Sequence, residues 1–259
     1  MKTAYSPMHS RLLPLANAVI VPLLIGNAGA VVIDTFSDGS LSEYTSTRVL
    51  DNSVATANVA FSSSSGSLVS TYDSGASAAE QVLLLRNDFS LAVGQTLTID
   101  TAFATTGTQM DFGLAISGAA AITSASSGDT DTRDLNNFLA IYVRPSQDAV
   151  RVTSSNNGVV TTGSGVLATV ETLVSQLYIT RVTSTQFTVG YTDTSAVSHD
   201  ALTVSFTATD LGSTIGFYSD MRTASTSLGS LDNLTIVPEP SAALLGGLGL
   251  FALLRRRRG

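Results

Sequence analysis

The strongest constraint on the fold of this chain is the alternation of apolar and polar residues in short runs, each closed by Gly, Ser, Asn or Asp. In residues 96–103, Leu97, Ile99 and Phe103 fall on one side of an extended chain, while Thr98 and Asp100 fall on the other. Phe187, Val189 and Tyr191 repeat the pattern, as do Leu202, Val204 and Phe206, and Leu177 with Ile179. Successive side chains of a strand point to opposite faces, so a two-residue period marks a half-buried strand. The Thr, Val, Ile, Phe and Tyr that fill these runs suit its pleated surface. At least ten such segments lie between residues 31 and 236, and no window of ten residues there carries an apolar stripe at helical spacing free of Gly and β-branched runs. Asn157-Gly158 marks a two-residue hairpin, because both central positions of that turn need positive φ. A second hairpin is expected at Ser184-Thr185, and the serine-rich run 62–67 and residues 122–128 read as flexible connections.

Each such strand must bury its apolar face, and many antiparallel strands do so by forming two packed sheets. The expected fold is therefore all-β, an antiparallel β-sandwich of jelly-roll type. Residues 31–236 number 206, which suits one core and one domain. Cysteine is absent, so disulfides, thiolate metal ligands and thiol nucleophiles are excluded.

The two ends are different in kind. Lys2, His9 and Arg11 precede or flank the start of an apolar stretch over 12–25, and Gly26-Asn27-Ala28-Gly29-Ala30 follows with small residues at Ala28 and Ala30. This is the layout of a secretory signal peptide, and Pro14 and Pro22 argue against a buried helix there. Signal peptidase is expected to cut after Ala30. At the other end Pro238-Glu239-Pro240 leads into the apolar run 242–254 and then Arg255, Arg256, Arg257 and Arg258. A helix over residues 241–254 would be short: fourteen residues at about 1.5 Å each span roughly 21 Å, against a hydrocarbon core near 30 Å. The arginines act as a cytoplasmic stop by the positive-inside tendency.

This three-part order resembles the C-terminal sorting signal of the PEP-CTERM proteins. The resemblance covers the last 23 residues. It implies recognition by exosortase, an integral-membrane protease-transpeptidase, removal of the tail close to Pro238-Glu239-Pro240, passage through an inner-membrane intermediate, and residence at the cell surface or in an extracellular polysaccharide matrix. The chain thus divides into a signal peptide at 1–30, a sandwich at 31–236 and a sorting signal at 237–259.

Asp34-Thr35-Phe36-Ser37-Asp38-Gly39, Ile215-Gly216-Phe217-Tyr218 and Leu231-Asp232-Asn233-Leu234-Thr235-Ile236 resemble the opening and closing strands of concanavalin A-like lectin/glucanase domains. That resemblance implies that the two ends of the sandwich pair in one sheet. Retaining glucanases of that fold carry two glutamates on one strand, because nucleophile and acid must lie about 5 Å apart. Here Glu43, Glu80, Glu171 and Glu239 are far apart, and no Glu-x-Asp-x-x-Glu arrangement occurs.

Other chemistry is sparse. Ser198-His199-Asp200 are consecutive and cannot converge as a triad in an extended chain, so His199 reads as an exposed loop residue. There is no Trp to stack on a sugar, and Tyr44, Tyr72, Tyr142, Tyr178, Tyr191 and Tyr218 fall mostly inside strand patterns, as core or sheet-face residues. Asp129, Asp131 and Asp134 place three carboxylates close together and form a weak Ca²⁺ candidate, with Arg133 among them; no cofactor is otherwise expected. Seven arginines and all twenty acidic residues lie between residues 31 and 254, a formal charge of −13 that excludes nucleic acid as a partner. The sequence points to a non-enzymatic exported component of the envelope or matrix with a structural or adhesive role. A carbohydrate-binding module and, more remotely, a glycoside hydrolase are the alternatives, with extracellular polysaccharide as the partner outside the export machinery.

Overall fold

A computed structural model describes residues 29–51, 59–72, 80–103, 110–118, 137–147, 149–156, 159–162, 173–221 and 229–239. Ala28, Asp129, Asp131, Asp134, Pro240, the apolar tail and Arg255 to Arg258 lie outside the described residues, as does the 122–128 run. Ala30 is exposed coil immediately before the first strand.

Fifteen strands make up the described chain: β1 (Val31–Asp34), β2 (Thr45–Asp51), β3 (Val59–Ser64), β4 (Ser67–Tyr72), β5 (Glu80–Arg86), β6 (Gln95–Phe103), β7 (Met110–Ser117), β8 (Phe138–Arg144), β9 (Ala149–Asn156), β10 (Val159–Thr162), β11 (Val174–Arg181), β12 (Gln186–Asp193), β13 (Ser198–Ser205), β14 (Thr214–Met221) and β15 (Gly229–Pro238). All pairings are antiparallel. One sheet has the order β13-β12-β11-β6-β15-β4-β3, with β1 also on β15, and the other has the order β10-β9-β8-β7-β14-β5-β2. A 3-10 turn spans Pro145–Gln147, and among the described residues no helix is long and apolar enough to cross a membrane.

The core lies between the sheets. Leu97, Ile99, Leu177, Ile179, Phe187, Val189, Leu231, Leu234 and Ile236 meet Leu84, Phe112, Leu114, Ile116, Leu139, Ile141, Val143, Val150, Val152, Ile215 and Phe217 across it, all buried. Every inward residue named from the alternation of β6, β11 and β12 is in this core, and Phe206 joins it just past β13 with Leu202 and Val204 packed alongside. The two ends of the sandwich pair as the resemblance implied, Val31 opposite Ile236. Within β15 the run Leu231-Asp232-Asn233-Leu234 breaks the two-residue period, yet Leu231 and Leu234 are both fully buried. A bulge between Asp232 and Thr235, with Asn233 at a φ of 55°, absorbs the extra residue.

Four local expectations are corrected. Residues 62–67 are no flexible connection: β3 and β4 pair directly, and Ser65 and Gly66 close them with φ values of 54° and 79°, the positive pair of a type I′ turn. The hairpin at Ser184-Thr185 is one residue longer than expected, because Val182 and Gln186 are its last bonded pair and Thr183 joins the turn. His199 is in β13 rather than in a loop; its Nε2 lies 2.9 Å from Asp193 Oδ2 and its ring stacks on Tyr191. That partner holds the Asp193 carboxyl below the usual range.

The fourth concerns the expected end of the sandwich at Ile236: β15 continues to Pro238, opposite Gln95, and the Glu239 N–H donates to the Gly94 carbonyl. Alternate residues of a strand point their N–H groups to the same side, so the donor that Pro238 lacks faces away from β6, beyond the start of β1. A proline is accommodated there without breaking the ladder. The Asn157-Gly158 hairpin needs no correction, since Asn156 pairs with Val159.

The connection from β5 to β6 and the hydrogen bond from Leu91 N–H to Gly212 O bring the end of β5 and the starts of β6 and β14 to one end of the sandwich. Antiparallel pairing then sends the starts of β5 and β7 and the ends of β8 and β14 to the opposite end.

Candidate functional site

The central strands of the seven-stranded sheet, β5, β7, β8 and β14, are buried on both faces over their described residues, apart from half-buried Arg144. Beneath the core face, the sheet's outer face carries a second apolar cluster of Leu83, Leu85, Ala115, Phe138, Ala140, Tyr142 and Tyr218. At the end of this face where β5 and β7 start, the pairing register aligns one residue from each of four strands in a single row. Gln81 of β5 is opposite Asp220 of β14, Asp220 is opposite Asp111 of β7, and Asp111 is next to the Val143–Phe112 pair and so faces Arg144 of β8. Adjacent strands lie about 4.8 Å apart, so these side chains are close neighbours.

Two carboxylates directly opposite each other repel unless each is compensated. Arg144 closes on Asp111 with both arms of its guanidinium, Nε donating to Oδ1 at 2.6 Å and Nη2 to Oδ2. The Gln81 amide donates to Asp220 Oδ2 at 3.0 Å. Asp111 and Asp220 are 2% and 3% exposed, so these bonds form where water is nearly excluded and are strengthened accordingly. The Asp111 hydrogen bond also raises the Arg144 guanidinium above its ordinary range, which keeps Arg144 charged.

The next row along the face is aromatic. Tyr142 and Tyr218 stand on the strands either side of β7, and their ring centroids approach to 5.1 Å. Between them is Gly113, where an added Cβ would meet Ile141 O at 2.2 Å and Tyr142 Cα at 2.5 Å. Only a residue without a side chain lets the two rings close over β7. Burial pushes both phenols well above their ordinary pKa, with Asp111 adding to the effect at Tyr142 and Asp220 at Tyr218. Opposite Tyr142 on β9 is Arg151, whose Nε is sealed from solvent with no hydrogen-bond partner. Arg181 Nε and Ser213 Oγ share that state among the described residues, and a buried donor without an acceptor is costly.

None of these row residues stood out in the sequence, although the tyrosines were read as core or sheet-face residues. The structure places Tyr44, Tyr142, Tyr178, Tyr191 and Tyr218 among the buried residues; the side chain of Tyr72 lies outside those described. Of the glutamates, Glu43 is in the loop after β1, Glu80 opens β5, and Glu239 follows β15 at the opposite end from the row, while Glu171 lies outside the described residues. Among the described residues no group of three or more His, Asp and Glu side chains could hold a metal ion.

No protein-family model matches the sequence, and no curated protein does. The fold does have counterparts. A crystal structure of the VIP36 exoplasmic/lumenal domain, in a form bound to Ca²⁺ and Man3GlcNAc, superposes with a TM-score of 0.50 at 8% identity over 82% of this chain and 89% of that one. An endo-β-galactosidase from Clostridium perfringens, which releases GlcNAcα1-4Gal, gives 0.50 at 14% identity over 83% of this chain and 64% of that one. A legume lectin-like domain from Entamoeba histolytica aligns at 0.45, with 9% identity over 75% of this chain and 88% of that one. At these identities the likeness is one of fold, and it places the chain among lectin-like jelly-roll sandwiches.

Proposed function

We propose that the chain is an exported carbohydrate-binding sandwich without enzymatic activity, and that it holds polysaccharide at the end of the seven-stranded sheet where Gln81, Asp220, Asp111 and Arg144 line up. The unpartnered Nε of Arg151, beside that row, is the observation that carries the reading. Sugars present hydroxyls that both donate and accept, and the half-buried guanidinium groups of Arg144 and Arg151 are the members of this group that reach solvent, beside buried Asp111, Asp220, Tyr142 and Tyr218. The VIP36 domain, of the same fold, was crystallised with Man3GlcNAc, and that similarity favours a glycan over other polar ligands. Against hydrolysis stands the Asp111–Arg144 pair: a carboxylate clamped by a guanidinium is held ionised and is poorly suited to act as the general acid.

Binding to immobilised polysaccharides and glycan arrays tests this. Asp220→Asn and Arg151→Met, which keep side-chain size, are each expected to weaken binding about tenfold or more, as loss of a charge-assisted bond of about 1.5–3 kcal/mol requires. Unchanged affinity in both folded variants would move the site elsewhere. Binding is expected to survive a metal chelator; its loss would bring Asp129, Asp131 and Asp134 into the site as Ca²⁺ ligands.

The sorting half of the proposal rests on Pro238-Glu239-Pro240, the apolar run and the arginine cluster, whose order resembles the PEP-CTERM signal. An exosortase-like enzyme would release the sandwich near this tripeptide to the surface or matrix. Intact-mass measurement of surface material is expected to show a chain starting at Val31 and lacking Arg255 to Arg258. Mature protein that retains the arginines would make the tail a simple anchor.

A further inference from the structure

Seven large apolar residues are markedly exposed among the described ones: Val31, Val32, Val93, Leu173, Val182, Val197 and Val237. Five of them gather at one end of the eight-stranded sheet. Gly94 donates to the carbonyl of Arg181 at 2.8 Å and receives the Glu239 N–H at 2.8 Å, which brings Val93, Val182 and Val237 round one point. Val31 and Val32, paired with Ile236 and Thr235, complete the group. These five are between 37% and 56% exposed, whereas Leu173 and Val197 lie at the other end, before β11 and between β12 and β13.

The same end is where the apolar terminal segments join. Val31 follows directly on the segment with the apolar stretch 12–25, and Glu239 leads directly into the segment with the apolar run 242–254. No spacer separates either from a strand: β1 begins at Val31, and the Glu239 N–H, one residue past β15, is still bonded to Gly94 just before β6. We propose that this valine rim rests on the membrane surface while the chain is tethered there, so that the Gln81–Arg144 row, at the opposite end of the sandwich, points away from the bilayer. The inference rests on the export and sorting reading above. A rim of five valines is too small to hold a membrane alone, but two tethers at its margin keep it at the interface, where apolar side chains enter the boundary between headgroups and acyl chains. The charge of −13 on the exported region favours a neutral lipid surface over an anionic one.

The chain contains no cysteine, so single labels can be placed cleanly. Val93→Cys, Val182→Cys and, as the reference, the equally exposed Val197→Cys are each labelled with an environment-sensitive fluorophore in the full chain and reconstituted into phosphatidylcholine vesicles. Flotation with the vesicles reads anchoring by itself, and a chain that does not float removes the anchor reading and the rim with it. In floating protein, the labels at 93 and 182 are expected to shift to shorter wavelength and to be quenched by aqueous iodide several-fold less than the label at 197. Equal quenching at all three positions would overturn the rim and leave anchoring intact. Equal protection at all three would also overturn it, because it would show aggregation rather than orientation.

Discussion

A chain ending at Ser230 is expected to be unfolded at room temperature under conditions where one ending at Glu239 is fully folded. The difference is most of β15, which pairs with β6 along one side and with β4 and β1 in succession along the other. Its removal parts β4 and β3 from the rest of the eight-stranded sheet and leaves β1 without a neighbour. It also removes Leu231, Leu234 and Ile236 from the core, where they are 0%, 0% and 5% exposed. Deleting a large buried side chain costs about 2–5 kcal/mol, so three together approach or exceed the 5–15 kcal/mol by which a domain is typically stable. A chain ending at Pro238, by contrast, loses only Glu239 and its bond to Gly94, about 1 kcal/mol. Far-UV circular dichroism and thermal melting of the three chains decide the matter. Equal melting of the chains ending at Ser230 and Glu239 would show that β15 is not part of the cooperative unit.

The sequence made much of this architecture visible, and the reason is physical. Strands that bury one face write their geometry as alternation, so Leu97, Ile99, Phe187, Val189, Leu177 and Ile179 could be placed inward at once. The seven-stranded sheet was harder to read because its central strands are covered on both sides. In β8, Phe138 to Val143 are all buried and the run is continuously apolar, so period alone does not say which residues share a face. Ser62 to Ser67 misled for the opposite reason, since serines fill outward and turn positions of a hairpin as readily as they fill a loop.

The site row was hidden by distance. Gln81, Asp111, Arg144 and Asp220 come from four segments spread over 140 residues and meet only through register. Each does carry a trace: a polar or charged residue near the end of an apolar strand, in phase with its outward positions, as Asp220 is with Tyr218 and Asp111 with Gly113. Such a residue within a strand buried on both faces needs a partner, and without knowledge of the pairing the partner cannot be named. The calcium candidates and the distal part of the tail lie outside the described residues, so the structure bears on neither.

Alkali is expected to unfold the protein in a single step that starts near pH 10. Tyr44, Tyr142 and Tyr218 are at most 8% exposed, and burial is the largest cause of the raised pKa of each phenol. Near Tyr44 the Asp34 carboxylate adds to the effect and Arg86 opposes it. In the unfolded chain these phenols ionise at about pH 10. A group whose pKa is higher when folded favours the folded state fully below its unfolded pKa, and that advantage is lost as pH rises towards the folded value. Above pH 10 the unfolded state has released protons that the folded state still holds, so stability falls with pH at about 1.4 kcal/mol per unit for each such group. Three groups acting together give about 4 kcal/mol per unit, enough to exhaust a typical domain within two or three units. Phenolate absorbance and circular dichroism, followed together, should show these three phenols ionising only as the strands are lost. Replacing Tyr218 with Phe removes one phenol and is expected to flatten the alkaline slope by about a third while sparing the fold, since no hydroxyl need be buried in its place. Ionisation of all the tyrosines near pH 10 in a chain that keeps its strand signal would show that the outer face of the seven-stranded sheet is open to water, and would remove the dry setting on which the Asp111–Arg144 and Gln81–Asp220 bonds depend.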